Sequence, residues 1–119
     1  MLINLSNHPF ATWPEEQVQA ALAMFGEVAD LAFPQIAPQA TSEQVCQLAQ
    51  DYLHQIQAQH APADTAIHIM GEMTFTYQLV KMLKEAGYKC YASTTVRDVI
   101  ELEPGKKTAI FHFAQFREY

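Results

Sequence analysis

The feature that most constrains this chain is a repeated change of hydrophobic period along its 119 residues. Short apolar runs ending in turn-forming residues alternate with stretches whose apolar residues recur every three to four positions. Met1–Ser6 (MLINLS) is the first such run. It ends in Asn7-His8-Pro9 and is predicted to be a buried strand entering a loop. Thr12-Trp13-Pro14-Glu15 then has the spacing of a capping box with a proline in the first turn, and Val18, Ala21, Leu22 and Phe25 follow at helical period until Gly26. Val28–Phe33 is the predicted second strand, closed by Pro34, with a loop over Pro34–Ala40. Thr41 or Ser42 caps a second helix, whose apolar stripe is Val45, Leu48, Ala49, Leu53 and Ile56, before a break at Ala61-Pro62-Ala63-Asp64. Ala66–Gly71 is the third strand, and it passes directly into a helix carrying Phe75, Leu79, Val80, Met82 and Leu83 and closed by Gly87. Cys90–Ser93 is the fourth.

This β-α-β-α-β-α-β order predicts an α/β fold with a Rossmann-like, mostly parallel sheet and helices on both faces. The end of the chain breaks the pattern. Arg97–Leu102 and Thr108–Phe116 are strand-like and joined by Glu103-Pro104-Gly105-Lys106, which predicts a C-terminal antiparallel β-hairpin. With 50% hydrophobic residues and no repeat, low-complexity segment or linker, residues 1–119 are expected to form one domain.

Charge narrows the partners. The net charge of −6 opposes a protein that coats duplex nucleic acid, which needs a basic surface. All seven cations lie in the last 39 residues, whereas the first 80 hold eight acids and no Lys or Arg. A small anion could therefore find a local positive site only toward the C-terminal part. The start lacks the basic and long apolar segments of a secretory signal, and no run reaches the roughly 20 apolar residues of a membrane span. A cytoplasmic protein without a membrane partner is expected. Cys46 and Cys90 are too few and too far apart to suggest a disulfide framework or CxxC site, and both are expected to be buried thiols.

In a doubly wound sheet with order 2-1-3-4, ligands bind beyond the carboxyl ends of strands one and three. Ser6, Asn7 and His8 follow strand one and offer a hydroxyl, an amide and an imidazole, unless they serve only as turn chemistry. Gly71-Glu72-Met73-Thr74 follows strand three. There a glycine would let a ligand approach the backbone, and the N–H groups of the first helical turn attract anions. Glu72 would oppose a phosphate at that point unless it acts on a proton or a ribose hydroxyl; its plainer use is to favour the positive end of the helix. Ser93, Thr94, Thr95 and Arg97 combine three hydroxyls with a guanidinium after strand four and suit phosphate oxygens, the alternative being a hydroxyl-rich turn with Arg97 paired to Asp98 or Glu101. His54, His60, His68 and His112 have no zinc-site spacing, so no metal or other cofactor is expected. Phe111, Phe113, Phe116 and Tyr119 alternate as core or subunit-interface residues would.

The start MLINLSNHP, the junction IHIMGEMTFTYQLVKML, the segment CYASTTVRDV and the ending FREY together resemble small stand-alone proteins of the CRISPR-associated Rossmann-fold (CARF) superfamily. The resemblance covers the whole chain. It implies a homodimer that binds a cyclic oligoadenylate second messenger of type III CRISPR antiviral signalling through loops after strands one and four. Small single-domain members are ring nucleases that cut this messenger. Ser6, Asn7 and His8 match the first loop, and Ser93, Thr94, Thr95 and Arg97 the second. The chain has no effector domain, which favours a ring nuclease or a messenger sponge. The implied chemistry is metal-independent attack by a ribose 2′-OH, with Arg97 and the hydroxyls stabilising phosphate charge and His8, or less directly Glu72, moving a proton. A non-catalytic binding module and an enzyme acting on a mononucleotide or sugar phosphate remain open at this point.

Overall fold

In the computed structural model, which describes residues 1–119, five strands and three helices alternate. They are β1 (Leu2–Ser6), α1 (Glu15–Phe25), β2 (Val28–Asp30), α2 (Ser42–Gln59), β3 (Ala66–Met70), α3 (Met73–Glu85), β4 (Lys89–Glu103) and β5 (Lys106–Glu118). Every residue of β1 is buried, as are the first four of β3, because these adjacent strands are covered on both faces. The sheet order is β2-β1-β3-β4-β5, parallel from β2 to β4, with β5 antiparallel at the edge. This differs from the Rossmann order 3-2-1-4-5-6 and is the other common doubly wound succession, with its reversal between β1 and β3.

Side-chain alternation divides the core in two. On one face Ile3, Leu5, Ile67 and Ile69 pack against Val45, Ala49 and Ile56 of α2 and Phe75, Leu79 and Leu83 of α3. On the other, Leu2 and Ala66 meet Trp13, Ala21 of α1 and Phe116 of β5. Thr41 caps α2 through a complete capping box with Gln44, and Gly26 ends α1 at φ 85°, a conformation that only glycine adopts without strain.

Three sequence expectations change. Thr12 does not cap α1: it lies in a 3-10 turn (Phe10–Thr12), its hydroxyl donates to the Pro9 carbonyl at 2.7 Å, and Pro14 occupies the cap position. Strand two stops at Asp30 because Leu31 makes one last ladder bond to Asn4 before Leu31 and Phe33 pack against the α2/α3 core. Most consequentially, the predicted fourth strand and first hairpin strand are one continuous strand, β4, so Ser93–Arg97 is not a loop. Threonine and valine favour extended backbone, and β5 pairs with β4 along its length, taking up the irregularity in a bulge between Thr94 and Thr95.

Gly71 has a packing reason of its own, beside the ligand approach expected of it. A Cβ there would overlap the Phe33 ring, which packs edge-on against Phe75 with centroids 5.2 Å apart. The missing side chain makes room for the protein's own phenylalanine. Gly71→Ala is expected to destabilise the fold by about 1–3 kcal/mol through overpacking. Urea unfolding measures this directly, and an unchanged midpoint would show that Phe33 moves aside without cost.

Candidate functional site

The carboxyl ends of β1 and β3, together with the middle of β4, frame a cleft of about 450 Å³ at the reversal in strand order. Ser6, Asn7 and His8 line it from the β1 loop, Gly71 from the β3 end, and Ser93 and Thr95 from β4. Trp13, Phe111 and Phe113 supply apolar walls. The bulge helps to build this wall. Ser93 pairs with Phe116, whereas Thr95 pairs with Phe113 and Arg97 with Phe111; the extra residue on β5 therefore keeps all three phenylalanines on one face.

The β1 loop is held from below by hydrogen bonds to one carbonyl. The His8 oxygen accepts from Asn4 Nδ2 at 2.8 Å and Trp13 Nε1 at 2.9 Å, and the single Ser6 hydroxyl hydrogen is shared between Asn4 Oδ1 at 2.8 Å and this oxygen at 3.1 Å. The Ser6 hydroxyl in turn accepts from the His8 N–H at 3.2 Å. The His8 backbone and the Ser6 hydroxyl thus close the turn, and Ser6, Asn7 and His8 line the cleft.

Two buried residues not singled out from the sequence support the site: His68 lines the cleft, and Asn4 is hydrogen-bonded to His68 and to the His8 carbonyl. Asn4 is 1% exposed and His68 2%, and they are register partners on adjacent strands. His68 Nδ1 lies 2.9 Å from Asn4 Oδ1, and its Nε2 lies 3.1 Å from Ser93 Oγ. Trp13 and Phe116 stand edge-on to the imidazole at 5.3 and 5.6 Å between centroids. Burial among these rings, with a smaller contribution from the charge of His8, pushes the His68 pKa down to about 4, so the ring is neutral at pH 7. A signal existed in the sequence. Asn4 interrupts the apolar run MLINLS and His68 interrupts AIHIM at matching strand positions.

The other expected residues are distributed more widely. Thr94 alternates to the opposite face of β4, where its hydroxyl donates to the Gln115 carbonyl at 3.2 Å. Arg97 is exposed two residues beyond Thr95 on the same side, past the cleft wall. The start of α3 is already occupied. Glu72 caps it, with Oε1 accepting from the Thr74 N–H and Oε2 from the Phe75 N–H, both at 2.9 Å. The Phe75 N–H and then the Thr74 hydroxyl and N–H hold this carboxyl below the usual range, so Glu72 is a committed anion and repels a phosphate there. Cys90 is buried, with its thiol pushed up to about 12 by desolvation, whereas Cys46 is only partly buried.

Beside the cleft and sharing Met70 and Gly71 with it runs a wider, more apolar groove of about 700 Å³ along α3, lined by Met73, Tyr77, Val80, Lys81 and Tyr119 among others. It is larger than the cleft and is lined by apolar side chains together with Lys81, Lys84 and Glu85. No helix of the protein is long and apolar enough to cross a membrane.

Comparison with known families gives a match to a family model described as Uncharacterized protein MJ1673 family, over residues 1–117. No curated protein and no solved structure matches the chain.

Proposed function

We propose that this chain, which belongs to the uncharacterized MJ1673 family, binds a cyclic oligoadenylate in the cleft and opens the ring. The observation that carries the reading is the convergence of Ser6, His8, His68, Ser93 and Thr95 beyond the β1/β3 reversal, next to an apolar groove. The polar cleft suits a ribose–phosphate unit, and the groove reached over Met70 and Gly71 suits an adenine base. A volume of about 450 Å³ falls in the range for one small ligand, about 300–1,000 Å³, rather than for a ring of several nucleotides. A ring therefore calls for two copies meeting over it. Exposed Val96, Val99, Ile100 and Leu102 on the β4–β5 hairpin supply apolar surface for such a homodimer.

The chemistry is an internal displacement. The ribose 2′-oxygen bonds to the neighbouring phosphorus as the bond from phosphorus to the 5′-oxygen breaks. One proton leaves O2′ and one joins O5′, giving a 2′,3′-cyclic phosphate and a free 5′-hydroxyl. In this reading His8, which lines the cleft, exchanges that proton, and Thr95 offers a hydroxyl to the phosphate. Arg97, farther along the same side of β4, adds positive charge when a ring extends that way. Glu72 is left out of this scheme because its carboxylate caps α3.

Incubation with cyclic tetra-adenylate followed by chromatography tests the reading. Linear products are expected. A ring retained unchanged would make the protein a messenger sponge, and no retention would remove both readings in favour of a mononucleotide or sugar-phosphate ligand.

A further inference from the structure

Asp30, Asn4 and His68 stand side by side in register across β2, β1 and β3, and Ser93 lies on β4 two residues beyond Tyr91, the register partner of His68. Their hydrogen bonds run in one direction. Asn4 Nδ2 donates to Asp30 Oδ1 at 2.9 Å and to the His8 carbonyl at 2.8 Å, and neither partner can donate in return. That fixes the amide, so Asn4 Oδ1 is the atom facing His68 Nδ1 at 2.9 Å. Nδ1 must then carry the hydrogen, and Nε2 is a bare acceptor for the Ser93 hydroxyl at 3.1 Å. Met70 Sδ is also 3.1 Å from that hydroxyl, but a thioether is the weaker acceptor.

The consequence concerns what Ser93 can recognise. Its single hydrogen points inward to His68, so its oxygen presents only lone pairs to the cleft. A phosphate oxygen would be repelled there. A hydroxyl that donates would be held.

Resting on the cyclic-nucleotide reading above, we propose that Ser93 Oγ accepts the hydrogen bond of the ribose 2′-hydroxyl and so holds the attacking oxygen in place, with Asp30, Asn4 and His68 as positioning residues that set the direction of that bond. This reverses the role expected of Ser93 from sequence, where it was a phosphate contact. Ser93 forms no covalent bond in the reaction: it orients the 2′-hydroxyl in the bound ground state, and the hydroxyl turns its single hydrogen from Ser93 to His8 as the proton leaves.

Binding of cyclic tetra-adenylate and of its all-2′-deoxy counterpart, measured before turnover for wild type and Ser93→Ala, tests the assignment. Wild type is expected to prefer the ribose ring by about five- to tenfold, the equivalent of about one hydrogen bond. Ser93→Ala is expected to bind both rings equally, at the affinity of wild type for the deoxy ring. Should Ser93→Ala not fold, Ser93→Cys replaces it, because a thiol is a weak acceptor. A variant that keeps the ribose preference, or wild type that binds both rings alike, overturns the Ser93 assignment and leaves the cyclic-nucleotide reading standing. Retention of neither ring by wild type overturns both.

Discussion

Replacing His8 by alanine is expected to slow opening of cyclic tetra-adenylate by about 10²–10⁴-fold, the usual contribution of a general acid–base group, while changing ring affinity by only a few fold. The reason lies in how the residue is held. Its main chain is anchored by three hydrogen bonds to the carbonyl and one from the N–H, and all of these survive the substitution. The β1 loop therefore keeps its shape, and the change removes the imidazole alone. A group that moves a proton acts on the transition state more than on the bound ground state, so rate and affinity separate. Single-turnover cleavage of a labelled ring, with binding measured in parallel, reads both quantities. An unaltered rate would take His8 out of the mechanism, and equal losses in rate and affinity would make it a binding residue instead.

The second large effect is on stability in acid. Folding buries the His68 imidazole and lowers its pKa from the ordinary 6.5 to about 4. The unfolded chain therefore binds a proton that the folded chain does not, and the sign follows: stability is at its full value above pH 6.5 and declines as pH falls toward 4. The difference amounts to about 3 kcal/mol, a large share of the stability of a small domain. Below about pH 4, where the folded imidazole itself takes up a proton, a proton on Nε2 would also displace the inward bond from Ser93, because a protonated imidazole cannot accept. Denaturant unfolding of wild type and His68→Gln at pH 7 and pH 4.5 tests this. Wild type is expected to lose the larger amount of stability on acidification, since glutamine does not titrate; parallel losses would place the acid sensitivity elsewhere in the chain.

Much of the architecture was legible in the alternation of periods. The runs MLINLS and AIHIM became β1 and β3, and the stripe Val45, Leu48, Ala49, Leu53 and Ile56 became the inner face of α2. Burial on both faces of a parallel sheet demands such continuous apolar strands, and one-sided helices demand such stripes. The Pro-Gly turn likewise marked where the hairpin folds back. The place of the first-strand loop on the cleft was legible too, because a buried strand ending in Ser-Asn-His-Pro leaves polar groups at the carboxyl end of the sheet.

What the sequence determined by itself was thus the set of local periods, and through them the parallel sheet, its helices and the end of the sheet at which a site could form. Only the tertiary structure decided which polar residues share that site. The Ser-Thr-Thr-Val segment could have been a loop until β5 paired along it and made it strand, which sent Thr94 to one face and kept Ser93 and Thr95 on the other. Glu72 could have faced a ligand until the N–H groups of its own helix claimed it. Asn4 and His68 are 64 positions apart and acquire meaning only through register, which brings a buried amide, a buried imidazole and the Ser93 hydroxyl within hydrogen-bonding distance. Local preference is a property of a few neighbouring residues, whereas the direction of a hydrogen-bond relay belongs to strands that meet only when the sheet has closed.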